Sequence, residues 1–470
     1  MNLRPPIGEL QALLGAEAVS QDPGELLHWG RDWTRIYAAA PWAVCWPRST
    51  AEVAAVLRWC HARGVPVVPS GGRTGLAGGA MATAGELVLS LDRLRYLGPV
   101  DVLNRSVAVG AGVPNQVLQE HCAPHGLWWP VDLAAKGTAT IGGNLATNAG
   151  GLRVVRYGHA RNWLLGLEAV GADGQIISEL RALHKDNSGP DLRQLLVGSE
   201  GTLAVVTAAT LQLAPLPGPT AVALLACPSM QAVLEVLAQA HTLKLELHAF
   251  EVFSDLCLSH VLARTGLPQP LQARLPFYAL VELGLDPAGS AHQPPAGARM
   301  ERWLERLLTD RTAADGTLAV DHRAAQKLWA YRERITESLQ PWTPRKNDIS
   351  VPVSRLAEFV VELQRWLDHS RPGWQVALFG HVGDGNLHIN ALRPEGMAMV
   401  EFQQACDLAD EALYQLVARF GGSMSAEHGI GLVKKRWLPL FRSKAELQAL
   451  GALKHALDPA GILNPGKVLS

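Results

Sequence analysis

The chain has 470 residues, 48% of them hydrophobic, with 42 basic and 43 acidic side chains and a formal net charge of -1. That length suggests two or three domains with ample core, and the near-zero charge argues against a broad nucleic-acid-binding surface, so no nucleic-acid partner is expected. No apolar run is long enough to be a transmembrane segment. The N-terminus Met1–Gly8 has neither a signal-peptide pattern nor an Arg/Ser-rich presequence. Cys45, Cys60, Cys122, Cys227, Cys257 and Cys406 are scattered without a Cys-x-x-Cys pair, which fits reduced thiols and a cytoplasmic protein.

Residues 40–69 read as strand, helix, strand. Ala43–Trp46 is short and apolar; Ser49 and Glu52 then form a capping-box pattern. The helix they open carries Val53, Val56, Leu57 and Cys60 on one face, and Gly64 ends it. Val65–Val68 is the next strand, and it feeds the small-residue loop Pro69–Ala80. Consecutive backbone amides in such a loop make an anion-binding nest, and Arg73 is placed to add a charge-assisted bond to a phosphate. Glu86–Leu91 and Ser106–Gly110 supply further strands. Gly110–Asn115 brushes the dinucleotide fingerprint, but its third glycine is missing and Pro114 interrupts it, so a nicotinamide site gains little support.

A second small-residue stretch, Val131–Gly151, holds five glycines, and only Asp132 and Lys136 in it are charged. One glycine-rich loop alone reads as a surface turn. Two such loops, both poor in charge and both with paired glycines, point to a phosphate-bearing cofactor approached closely by backbone. Leu164–Val170 and Gln175–Ser178 flank the hairpin signal Ala172–Gly174. Gly198–Leu203 precedes a strand at Ala204–Leu213, and Pro215–Pro219 is a linker. Beyond it, strands at Ala221–Ala226, Phe277–Leu283 and Trp374–Ala391 alternate with helices at Ser229–His241, Ala298–Thr309 and Val353–His369. This predicts an antiparallel sheet backed by helices, with a loop marked by Asp286–Pro287 and Gln293–Pro295.

Val376–Leu392 reads as a hairpin whose strands are joined by the loop Gly383–Asn386. In that register Val382 pairs with Leu387, and His381 lies directly opposite His388. Their Cβ atoms would be ~5 Å apart, close enough to share a metal ion, and Asn390 falls on the same face. Asp384 reads as a turn residue. A further carboxylate and histidine, Glu427 and His428, stand side by side in Ser425–Gly431.

Pro69–Ala80, Pro130–Gly151 and Gly198–Leu203 together resemble the FAD-linked oxidoreductases of the vanillyl-alcohol oxidase type, in the D-2-hydroxyglutarate and D-lactate dehydrogenase branch. The resemblance spans nearly the whole chain. It implies an α+β protein: a two-part FAD-binding domain (1–217), an antiparallel-sheet-and-helix substrate or cap domain (218–424) and a helical C-terminal segment returning to the flavin (425–470). The FAD contacts it implies are Pro69, Ser70, Gly71, Gly72, Arg73, Thr74, Gly75 and Leu76 in the first loop. In the second they are Gly137, Thr138, Ile141, Gly142, Gly143, Asn144, Thr147, Asn148, Gly150 and Gly151. Glu200, Gly201, Val205 and Asn464 complete the set. No histidine lies in Gly71–Ala80, where covalently flavinylated relatives often carry one, so FAD is expected to be non-covalent.

The same resemblance completes a metal site of His381, His388 and Glu427 with an open position, suited first to zinc and also to manganese, cobalt or iron. It makes His428 a substrate-binding residue and the catalytic base. It places Arg332, Thr336 and Lys346, with Asn390, on the substrate. Lys346 favours a dicarboxylate, because a cation without an anionic partner is costly to bury. The expected reaction is metal-assisted oxidation of D-2-hydroxyglutarate to 2-oxoglutarate by hydride transfer to flavin. D-lactate or glycolate oxidation and a non-catalytic flavin subunit of a larger oxidase are the alternatives. A metal hydrolase would leave both glycine-rich loops unexplained. The expected partners are a small 2-hydroxyacid and an electron acceptor such as an electron-transfer flavoprotein or a quinone; a homodimer is compatible with the sequence.

Overall fold

The Ser49 hydroxyl accepts from the Glu52 N–H and starts the helix Thr50–Arg63, which buries Val53, Val56, Leu57 and Cys60. Gly64 stops it in left-handed backbone at φ +61°. The computed structural model describes residues 5–34, 36–285 and 296–469; the Asp286–Pro287 and Gln293–Pro295 turn signals lie outside them. The chain forms two compact units, one of residues 1–151, 157–216 and 427–470, the other of residues 152–156 and 217–426. Among the described residues, no helix is long and apolar enough to cross a membrane.

The first unit contains two four-stranded sheets. Val19–Ser20 (β1), Ala43–Cys45 (β2), Val67–Ser70 (β3) and Leu87–Ser90 (β4) lie in the order β1-β2-β4-β3, with β2 and β3 parallel to β4. Ser106–Gly110 (β5), Leu164–Val170 (β6), Ile176–Glu179 (β7) and Val205–Gln212 (β8) form an antiparallel sheet ordered β5-β8-β6-β7. One core gathers Leu57, Val67 and Leu87; another gathers Trp129, Leu145 and Val206. Each fully buried aliphatic or aromatic side chain contributes about 1.5–3 kcal/mol of transfer free energy. The chain's last residues rejoin β3: Leu463 bridges Val67 in parallel, and the Asn464 N–H donates to the Val67 carbonyl at 2.7 Å.

The second unit is built on one seven-stranded antiparallel sheet. Its strands are Thr220–Cys227 (β9), Leu247–Ser254 (β10), Phe277–Gly284 (β11), Asp315–Ala319 (β12), Arg345–Ser350 (β13), Val376–Gly380 (β14) and Asn386–Ala391 (β15). They lie in the order β12-β9-β11-β10-β14-β15-β13. β10 shows no alternation in sequence because both its faces are buried. Helices Asp255–Thr265 and His322–Glu333 cover one face, packing Leu258, Val261 and Leu328 on Phe253, Leu280 and Phe379.

β13 alternates between two environments. Arg345 Nε donates to Asp410 Oδ2 at 3.0 Å, Asn347 Nδ2 donates to Asp410 Oδ1 at 2.9 Å, and the Tyr414 hydroxyl donates to Asn347 Oδ1 at 2.8 Å. These bonds tie the odd-numbered residues to the helix Met399–Arg419. Lys346 and Asp348 consequently face the opposite side, in register with Asn390 and His388 of β15.

Candidate active site

In the first unit a cavity of about 330 Å³ opens between the two glycine-rich loops. Pro69, Ser70, Gly71, Gly72, Arg73, Thr74, Gly75 and Leu76 line it from the end of β3. Gly142, Gly143, Asn144, Thr147 and Gly150 line it from the second loop and its helix, and Glu200, Gly201 and Val205 add a third wall. The paired glycines have a steric cause. A Cβ on Gly71 would lie 2.6 Å from Thr140 Oγ1, and one on Gly72 would collide with the Thr138 carbonyl. The first loop therefore approaches the second closely, Gly71 against a side-chain hydroxyl and Gly72 against backbone.

The donors at this cavity suit a phosphate-bearing cofactor. Among the described residues, none of the backbone N–H groups from Gly71 to Ala77 donates to another protein group. The Ser70 hydroxyl is buried without a partner. Seven free amides and a hydroxyl form the kind of concave donor array that holds an anion. Arg73 has positive φ (55°), lies 3.8 Å over the Trp29 ring and donates to the Gly71 carbonyl, so Trp29 fixes it at the cavity edge.

The remaining expected FAD contacts do not line the cavity. Gly137 and Thr138 are exposed, although the Thr138 carbonyl is what Gly72 packs against. Ile141 belongs to the core. Asn148 is the left-handed cap of the helix Ile141–Thr147, and its side chain accepts from the Arg161 N–H. Gly151 has φ +126° and sits against the Asp132 carbonyl. Asn464 is a clasp: its Nδ2 donates to the Gly79 carbonyl at 2.9 Å and the Glu200 carbonyl at 2.7 Å. The buried Glu200 carboxylate accepts from the Ile430 and Gly431 N–H groups at 2.7 and 2.9 Å. Burial pushes its pKa up.

Glu427 and His428 also line this cavity, half-buried, with His428 Nε2 3.7 Å from Glu427 Oε1. Asp32, which belongs to no motif, also lines the cavity, with one carboxylate oxygen unpartnered among the described residues. Burial raises its pKa.

In the second unit the histidine hairpin departs from the expected register. Phe379, not His381, stands opposite His388, and Val382 does not pair with Leu387. The chain leaves β14 at Gly380, and Val382–Asp384 forms a 3-10 turn closed by Gly385 at φ +86°. The connection is thus longer than Gly383–Asn386, and His381 lies beyond the ladder's end. The two imidazoles still meet edge to face, with centroids 5.5 Å apart. A carboxylate sits at the Nδ1 of each. Glu251 Oε1 is 2.6 Å from His381 Nδ1, and Asp348 Oδ1 is 3.8 Å from His388 Nδ1. His381, hydrogen-bonded at Nδ1, presents Nε2 outward as metal-binding histidines usually do, whereas Asp348 at 3.8 Å only approaches His388. Two imidazoles with carboxylates nearby are donor types that fit a divalent ion.

Arg332 and Thr336 do not share one helix. The helix His322–Glu333 ends at Arg334, and Ile335–Ser338 is a separate turn. Arg332 is buried and Thr336 exposed. Arg332 Nε donates to Glu251 Oε2 at 2.7 Å, and its guanidinium lies 4.9 Å over the Phe379 ring. Its terminal nitrogens make no hydrogen bond among the described residues. Glu251 was not anticipated; the available signal was a lone carboxylate in the middle of the otherwise apolar run Ala249–Phe253. Burial alone would raise its pKa, but His381 and Arg332 hold it below the ordinary carboxylate range.

The cofactor cradle and the antiparallel sheet are those of a flavoprotein of the vanillyl-alcohol oxidase type. p-Cresol methylhydroxylase, solved with substrate bound, matches with a TM-score of 0.77 over 99% of this chain and 96% of that one, at 15% identity. Residues 41–178 match the FAD binding domain, and residues 216–468 match the C-terminal domain of FAD linked oxidases. The chain belongs to this FAD-linked oxidase family. A D-2-hydroxyglutarate dehydrogenase of Xanthomonas citri pv. viticola is 45% identical over 99% of this chain and 97% of its own. The mitochondrial D-2-hydroxyglutarate dehydrogenase of Bos taurus is 40% identical over 96% of this chain and 81% of its own.

Proposed function

We infer that this FAD-dependent hydroxyacid dehydrogenase oxidises D-2-hydroxyglutarate to 2-oxoglutarate. The observation that carries the substrate is the cation pair of the second unit. Arg332 keeps its terminal nitrogens uncommitted, and Lys346 faces Asn390 across the ladder. One cation answers one carboxylate, and Lys346, exposed on the same face as Asn390 and His388, is placed to answer a second by a charge-assisted bond.

The two glycine-rich loops would hold FAD, which would supply the hydride acceptor for C2 of the substrate. A divalent ion, zinc first, held by His381, His388 and Glu427 would lower the pKa of the substrate hydroxyl. His428 takes the hydroxyl proton as general base. Arg332 and Asn390 orient the 2-hydroxyacid end, while Thr336 and Lys346, both exposed, receive the distal carboxylate. FAD is held without a covalent bond: His428 is the one histidine among the cavity-lining residues, and no cysteine lines it. The six cysteines are buried and unpaired, which favours a reducing compartment such as the cytoplasm.

The test is a visible spectrum of the purified protein before and after anaerobic D-2-hydroxyglutarate. Bleaching of a flavin spectrum, abolished by a chelator, is the expected result. Bleaching by D-lactate alone would retain the hydroxyacid chemistry and remove the dicarboxylate. A flavin that no hydroxyacid bleaches would support a non-catalytic subunit, and a colourless protein after reconstitution would support a hydrolase.

A further inference from the structure

We propose that Glu251 is a positioning residue that fixes the metal-binding face of His381 and the substrate-binding face of Arg332 at once, through its two carboxylate oxygens. The proposal rests on the reading of those two residues given above. Glu251 is 0% exposed and lies in the centre of β10, between Phe250 and Val252. A carboxylate in such a strand is costly unless both oxygens are engaged. Both are: Oε1 meets His381 Nδ1 at 2.6 Å, and Oε2 receives Arg332 Nε at 2.7 Å.

The geometry gives each contact a direction. Accepting at Nδ1 selects the tautomer of His381 whose Nε2 is unprotonated and turned away from β10. Accepting at Nε rather than at the terminal nitrogens leaves the forked end of Arg332 for a carboxylate, with the guanidinium plane lying over Phe379. His381 sits past the last residue of β14 paired with β15, in a 3-10 connection that holds its carbonyl through the Asp384 and Asn386 N–H groups, and Glu251 sets the direction of its ring. A merely structural ion pair would need Arg332 and Glu251 alone; the bond to His381 would be superfluous.

Glu251→Gln separates these roles. Glutamine accepts through one oxygen only, so its amide NH2 either opposes the Arg332 donor or faces His381 Nδ1 and shifts that ring's proton to Nε2, the metal-binding nitrogen. The measurements are metal affinity by competition with a chromogenic chelator, flavin-to-protein ratio, and the KM and kcat for D-2-hydroxyglutarate. The expected result is an unchanged flavin ratio, a metal affinity lowered about 10- to 100-fold, and a raised KM. Should the Gln variant fail to fold, Glu251→Asp retains the charge but is too short to span both partners, and the same loss of metal affinity is expected. A folded Gln or Asp variant with wild-type metal affinity overturns the proposal. His388→Ala distinguishes this from failure of the metal reading itself: if that variant also keeps the metal, the histidine site is wrong, and Glu251 has nothing to position.

Discussion

Lys346 stands directly across the β13–β15 ladder from Asn390, and their neighbours Asp348 and His388 form the next pair on that face. The Arg345–Asn347–Asp410 network on the reverse face locks this register, since a slip of one residue would turn Arg345 toward the site and Lys346 into the helix. Lys346→Met should therefore act on one substrate class only. Losing a charge-assisted bond costs about 1.5–3 kcal/mol, so KM for D-2-hydroxyglutarate should rise roughly 10- to 100-fold. D-lactate, with no distal carboxylate, should be oxidised as by the wild type. Equal losses on both would remove Lys346 from the distal position.

His428→Asn should lower kcat on D-2-hydroxyglutarate by about 10²–10⁴-fold and leave the resting flavin spectrum in place. Asparagine retains a polar side chain of similar reach but accepts no proton near neutral pH. Stopped-flow reduction of the bound flavin isolates this step from reoxidation. A variant reduced at the wild-type rate would end the general-base assignment.

Two glycines of the first loop should respond oppositely to an added methyl. Gly72 meets the Thr138 carbonyl, which is backbone and cannot swing aside, whereas a Cβ on Gly75 meets nothing within 4 Å. Gly72→Ala should lose about 1–3 kcal/mol of stability and a large part of its flavin. Gly75→Ala should melt close to the wild type. Differential scanning calorimetry, with flavin released by denaturation as a second readout, checks both.

Lys467 supplies a pH-dependent signature. Burial lowers its pKa to about 8, with Glu86, Asp32 and Glu200 opposing that shift, and Nζ donates to Asn464 Oδ1 at 2.6 Å. Between pH 8 and the ordinary lysine value near 10.4, the unfolded chain binds the additional proton, so this residue's contribution to stability rises with pH. Below pH 8 the full cost of holding a buried ammonium is present. Lys467→Met removes this dependence. The stability difference between variant and wild type should change by up to about 3 kcal/mol across that window, as read from urea midpoints. A pH-independent difference would show that Lys467 is not held as described.

Local features were the most legible. Although Glu52 accepts from the Arg48 N–H rather than closing the expected capping box on Ser49, Ser49 and Gly64 bracket their helix in sequence as they do in the fold, because caps act within a few residues. The same holds for the hairpin turn between β6 and β7. The facing of Pro69–Ala80 and Val131–Gly151 was legible as two small-residue loops, though not that Gly72 fits against Thr138. What required the third dimension went unread. The His381 register failed because a 3-10 turn lengthened a connection that composition alone makes look short. Glu251 was hidden because β10 is buried on both sides and offers no periodicity. Its two partners lie 81 and 130 positions away. Asn464, expected at the flavin, instead bonds the Gly79 and Glu200 carbonyls, and nothing local in the sequence announces those partners.

The strand bridge between Val67 and Leu463 also imposes an order in time. Residues 217–426 leave the ribosome as an uninterrupted stretch and can collapse while synthesis continues, whereas the sheet containing β3 keeps a bare edge until Ile462–Asn464 arrive. The Asn464 clasp on Gly79 and Glu200 closes only then. Residues 462–464 are thus made late yet complete both the edge of that sheet and the clasp that ties the first glycine-rich loop to Glu200.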